Sequence, residues 1–187
     1  MSEWTDGQLV WEGIHALLRL AGEDPDRPGL ARTPARFLAA WQELTSKPGD
    51  PAELLATTFD DIGPVDEMIA VGPMEFVSMC EHHLMPFSGT AWVAYIPQDR
   101  IVGLSKLPRL VEHYARRLQV QERLTTQITA ALDKYVGPLG SAALLRAQHS
   151  CAAFRGVRKN APMVTSSLTG AFRQPEVRQE FLALARP

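Results

Sequence analysis

The chain has 187 residues, 45% of them hydrophobic, and a formal net charge of −2 at pH 7. That supplies one core with a small appendage, no apolar run long enough to span a bilayer, and no basic field to recruit nucleic acid or anionic membrane. The opening MSEWTDGQLVWEG is acidic and interrupted, unlike a secretory signal, and two cysteines, Cys80 and Cys151, suit a metal site or free thiols in a cytoplasmic protein better than a disulfide scaffold.

The elements follow in chain order. Helical spacing in QLVWEGIHALLRLA predicts a helix over 8–21, with Gly22 as its stop. EDPDRPG is a turn-rich break. Thr33 reads as an N-cap before Pro34, opening a helix to about Leu44 that KPGDP at 47–51 ends. MIAVGPMEFVSM and TAWVAYIP alternate and are rich in β-branched and aromatic residues, so both read as strands, with CEHH in their connection. GLSKLPRLVEHYARRL returns to helical spacing with Leu104, Leu107, Val111, Tyr114 and Leu118 on one side. A second helix follows in VQERLTTQITAALDKYV, broken by GPLG. SAALLRAQHSCAAFR and MVTSSLTGAF read as a closing pair of strands. Strand pairs segregated from helices imply an α+β fold with an antiparallel sheet. The expected organisation is an N-terminal helical region, 1–62, and a catalytic domain, 63–187. His15 and His113 lie in predicted helices without partner motifs and read as structural.

Cys80 and His83 are three apart, a spacing that lets one turn offer two ligands to a metal ion. His149 and Cys151 are two apart in a predicted strand and so share a face, which Ala153 and Arg155 continue. Two thiolates and one imidazole suit zinc, and three protein ligands leave a fourth position open for water, the mark of a catalytic site. Extended backbone points neighbouring side chains apart, so His82 and His83 are expected to differ in role. The plainer reading is that both cysteines are buried small hydrophobes.

Longer blocks then match a known family. GEDPDRPGLARTPAR, SMCEHHLMPFSG, YIP, GLSKLPRLVE, RRLQVQERLTTQI, HSCAAFRGVR and VTSSLTGAF, in that order, resemble GTP cyclohydrolase I. The resemblance covers nearly the whole chain from Gly22. It implies a tunnelling fold, an antiparallel sheet packed on two helices, whose subunits form two stacked pentamers with active sites between them. It implies Zn2+ on Cys80, His83 and Cys151, and catalytic roles for His82, His149 and, near the ribose, Ser105. It implies guanine recognition at Gln121 and Glu122, and triphosphate contacts from Lys106, Arg109 and Arg155, with Arg36 reaching in from a neighbouring subunit. The implied reaction opens GTP at C8, releases formate and gives 7,8-dihydroneopterin triphosphate. Arg146, Gln148 and Ala39 depart from the family pattern. Strand alternation turns Arg146 and Gln148 away from the metal face. Such drift leaves a second reading open: a paralogue of the same chemistry in a secondary pathway.

Overall fold

A computed structural model describes residues 5–46, 48–59 and 65–186. Lys47 of the predicted break, and the expected boundary at 62/63, lie outside the described residues. The chain divides into two compact units, Met1–Leu44 and Thr45–Pro187.

The first unit holds α1 (Asp6–Leu20) and most of α2 (Thr33–Thr45). Helix α1 starts two residues before the expected 8 because Thr5 and Gln8 form a capping box, each side chain meeting the other's backbone N–H. Gly22 ends it as expected. At φ +80° it lets its own N–H reach Arg19 O and that of Glu23 reach Leu18 O. His15 bonds within this helix, its Nδ1 3.0 Å from Trp11 O.

The second unit runs α3 (Pro51–Leu55), β1 (Thr58–Phe59), β2 (Ile69–Cys80), β3 (Pro86–Ile96), β4 (Ile101–Val102), α4 (Lys106–Ala115), β5 (Leu118–Gln119), α5 (Gln121–Tyr135), β6 (Gly140–His149), α6 (Ser150–Ala153), β7 (Met163–Leu168), a 3-10 turn (Gly170–Arg173) and α7 (Pro175–Leu184). Five strands make one sheet in the order β5-β2-β3-β6-β7, antiparallel except for the short parallel pair β2/β5. The α+β expectation holds.

Alternation sorts the strands onto two faces. Phe87, Ala91, Val93 and Tyr95 of β3, with Ala143, Leu145 and Ala147 of β6, pack against Leu107, Leu110 and Val111 of α4 and Leu124, Ile128 and Leu132 of α5. Trp92, Ala94, Ala142 and Leu144 face the other way, onto Phe172, Phe181 and Ala185. This second cover corrects the sequence reading of a strand through Phe172. Strand β7 stops at Leu168, a 3-10 turn follows, and α7 seals the far face. Pro175 at the first helical position and the Val177–Phe181–Ala185 spacing are its sequence signals.

Strand β2 changes phase along its length. Val71 pairs with Val93 but Met74 pairs with Ala91, so one extra residue is accommodated at Gly72–Pro73. Before the bulge, odd-numbered Ile69 and Val71 lie against the helix-side core; after it, even-numbered Met74, Phe76 and Cys80 do. The bulge therefore delivers Cys80 to the face that carries His149.

Helix α4 is shorter than predicted. Leu104 is 73% exposed and precedes it, and Leu118 lies beyond it in β5. Leu110 and Ala115, both fully buried, complete the stripe instead. His113 is structural as expected: it is buried, with Nδ1 2.8 Å from Pro48 O.

Candidate metal centre and its surroundings

Three stretches of chain converge at one corner of the sheet. Cys80 is the last residue of β2. The chain then turns back tightly: Leu84 N–H donates to Cys80 O at 2.9 Å and Cys80 N–H to Met85 O at 2.9 Å. Leu84 adopts φ 52°, the left-handed conformation that closes this turn. CEHH is thus a turn rather than extended chain, but the expected separation of its histidines holds. His83 puts Nδ1 3.9 Å from Cys80 Sγ. The His82 side chain is 64% exposed, with its ring 6.4 Å from that of His83 and nearly perpendicular to it.

Cys151 reaches the same place by a route the sequence reading did not expect. Strand β6 ends at His149, and 150–153 coil into α6, with Phe154 N–H donating to Ser150 O at 3.0 Å. His149 pairs with Phe87, so extending the ladder would need Pro86 and Met85. Pro86 has no N–H to give, and Met85 O is already taken by Cys80. His149, Cys151, Ala153 and Arg155 therefore do not line one strand face. The turn brings Cys151 to Cys80 and His83 instead, and one donor atom from each lies within 4.8 Å of the others.

The donor set fits a metal. In tetrahedral zinc sites with Zn–S about 2.3 Å and Zn–N about 2.0 Å, donors stand roughly 3.5–3.8 Å apart, so only a slight contraction is needed here. Both cysteines are free thiols. Burial pushes the Cys151 thiol up, and the facing Cys80 adds to this, while Arg155 opposes it weakly. Two thiols this close together suit a bound cation, which takes cysteine as the thiolate.

His149 stands beside this group and is held on two sides. Its ring stacks on Phe87 at 4.4 Å between centroids and 6° between planes. Its Nε2 is 2.9 Å from Gln121 Oε1. Burial holds its imidazole below the ordinary value, with the Glu122 carboxylate pulling the other way. Gln121 opens α5 fully buried, while Glu122 beside it is exposed. Glu81 pairs with Arg123, which also donates to Gln119 Oε1 at 2.9 Å. Arg123 then draws Glu81 below the usual carboxylate value. Neither the Arg123 contact nor the Phe87 stack is readable from local sequence, because both need the register of separate elements.

Within the second unit, Ser105, Lys106, Arg109 and Arg155 are not joined to this corner by any hydrogen bond or ion pair among the described residues. Ser105 caps α4 without a side-chain bond, Lys106 is half-buried, and Arg109 is exposed one turn on. Arg155 is exposed just beyond α6. Arg36 lies in α2, in the N-terminal unit. Arg146 and Gln148 do face away from His149, lining a depression of about 460 Å³ on the opposite side of the sheet with Ser88, Thr90 and Pro162. No helix among the described residues is long and apolar enough to cross a membrane.

A family model described as GTP cyclohydrolase I matches residues 10–186. Curated relatives named GTP cyclohydrolase 1 match most of the chain. One from Gloeobacter violaceus is 49% identical over 94% of this chain and 83% of its own. One from a Synechococcus strain is 49% identical over 99% and 81%. One from Brucella canis is 43% identical over 92% and 83%.

Proposed function

The chain belongs to the GTP cyclohydrolase I family, and from that premise we propose how its residues divide the hydrolysis of GTP. The overall reaction opens the imidazole ring at C8, releases formate and recloses as 7,8-dihydroneopterin triphosphate. The convergence of Cys80, His83 and Cys151 beside an immobilised His149 is the observation that carries this reading.

Cys80, His83 and Cys151 would hold Zn2+. The ion supplies a Lewis acid that makes a nucleophile of water at neutral pH. Glu122 is exposed next to His149 and suits guanine: its carboxylate accepts from N1–H and the exocyclic amine, a donor pair that adenine lacks. His149 and His82 carry protons to and from the purine, for which histidine is suited near neutral pH. Burial lowers the His149 pKa, which favours the form able to accept a proton. His82 is exposed on the turn that holds His83, within reach of an arriving ligand. Ser105, Lys106 and Arg109 cluster at the start of α4. With Arg155 they present hydroxyl and cationic donors for ribose and triphosphate, arginine's fork suiting phosphate oxygens. Arg36 adds a further cation from a neighbouring subunit. The active sites then lie between subunits of a homodecamer, two stacked pentamers in the cytoplasm, closing the sheet edges at β5 and β7.

The test is mass spectrometry of GTP incubated with zinc-loaded protein, with formate quantified alongside. Dihydroneopterin triphosphate and formate in equal amounts are expected. GTP left intact by protein that retains zinc would defeat the reading. Native mass spectrometry checks the assembly.

A further inference from the structure

Gln121 was expected to face guanine. Its side chain is fully buried and every polar atom on it is engaged. Nε2 lies 3.2 Å from Leu145 O, 3.1 Å from Met163 O and 3.1 Å from Thr165 Oγ1. Two of these are carbonyl oxygens, which only accept. They fix the orientation of the amide, since the flipped form would set Oε1 against both. Oε1 therefore faces His149 Nε2, and being an acceptor it requires the hydrogen to sit on that nitrogen.

The amide is itself locked. Thr125 Oγ1 donates to Gln121 O at 2.7 Å, so its 2.6 Å contact with Thr165 must use a hydrogen from Thr165. Thr165 in turn accepts from Gln121 Nε2. A closed ring of hydrogen bonds begins and ends on Gln121, tying the start of α5 to β6 and β7. Phe87 stacks on one face of the imidazole and restricts its tilt.

We infer that Gln121 is a positioning residue that sets the tautomer of His149, protonated at Nε2 and bare at Nδ1. Among the described residues nothing bonds to Nδ1. With the Nε2 hydrogen committed to Gln121, Nδ1 is the ring nitrogen whose lone pair is left open to a ligand. This deepens the reading of His149 as a proton carrier and rests on it. It also removes the Gln121 side chain from guanine recognition, which falls to the Glu122 carboxylate.

The experiment is 15N NMR of zinc-loaded protein carrying ring-labelled histidine, with His149 assigned from the His149→Ala spectrum. The expected wild-type signature is a pyrrole-type Nε2 and a pyridine-type Nδ1. In Gln121→Met the ring loses its acceptor, so a mixture of tautomers appears. The kcat for GTP then falls about 10–100-fold while KM stays within about two-fold. The wild-type spectrum reads the tautomer directly, so it decides even if the Met variant does not fold. A hydrogen on Nδ1 in the wild type would overturn the inference. So would a Met variant with unchanged tautomer and kcat, or one in which KM rises at constant kcat, which would make Gln121 a substrate contact. A wild-type spectrum as expected, in protein that leaves GTP intact, would defeat the proposed reaction and not the assignment of the tautomer.

Discussion

The corner holding Cys80, His83, Cys151 and His149 and the start of α4 holding Ser105, Lys106 and Arg109 are both proposed to meet one substrate, yet they are built differently. In the corner, His149 is stacked, hydrogen-bonded and half-buried, and Cys80 is buried at the end of a strand. At α4 Ser105 and Arg109 are exposed, Lys106 is half-buried, and Ser105 makes no capping bond. Groups that make and break bonds have their orientation fixed by the fold. Groups that hold a flexible polyanion keep their rotamer freedom until it arrives.

The largest effect that sharpens this contrast comes from the metal ligands. Cys151→Ala leaves two donors, so zinc measured by elemental analysis should fall well below one per chain and turnover should become undetectable. His149→Ala should retain zinc and lower kcat about 10²–10⁴-fold, the range for a removed general acid–base. Equal losses of metal and turnover in that variant would break the division between holding and transferring. Lys106→Ala and Arg109→Ala should each raise KM for GTP about tenfold, as expected for a lost charge-assisted hydrogen bond, with Tm unchanged and the gap narrowing in salt. A kcat effect without a KM effect would place them in the chemistry instead. Gly89→Ala tests the scaffold behind the corner. A Cβ there would come 1.9 Å from Arg146 O, so β3 and β6 must separate, at a cost of about 1–3 kcal/mol in chemical denaturation. Arg146→Glu, on the opposite face, should change kcat less than about two-fold and stability by no more than about 0.5 kcal/mol.

Much of this was legible before any fold was known. CEHH and H-x-C announce a cluster of thiols and imidazoles by residue type alone, and the stripes of α4 and α5 predict the layer that covers it. What was not legible depends on distant partners. The end of β6 at His149 is decided by Pro86 and by the engagement of Met85 O, not by anything in QHSCAAF. The duty of Gln121 is decided by two carbonyls and a hydroxyl 24 to 44 residues away. Its neighbour Glu122, with the same local sequence, is exposed and free to meet a ligand. Helix α7 was missed although its signals are local, because the turn before it was read as strand.

The bulge at Gly72–Pro73 works as a half-period delay line. A pleated strand has only two phases, and a single surplus residue exchanges them. Upstream of the bulge the strand is set by its own pairing with β3; downstream, the same rhythm is inverted so that the thiol of Cys80 arrives in phase with His149. Deleting either residue of the bulge leaves every side chain of 74–80 chemically unchanged and reverses the side on which each is read. A lineage can therefore vary the outward-facing side chains of this strand, but it cannot change the count of residues by one without turning the Cys80 thiol away from His83 and Cys151.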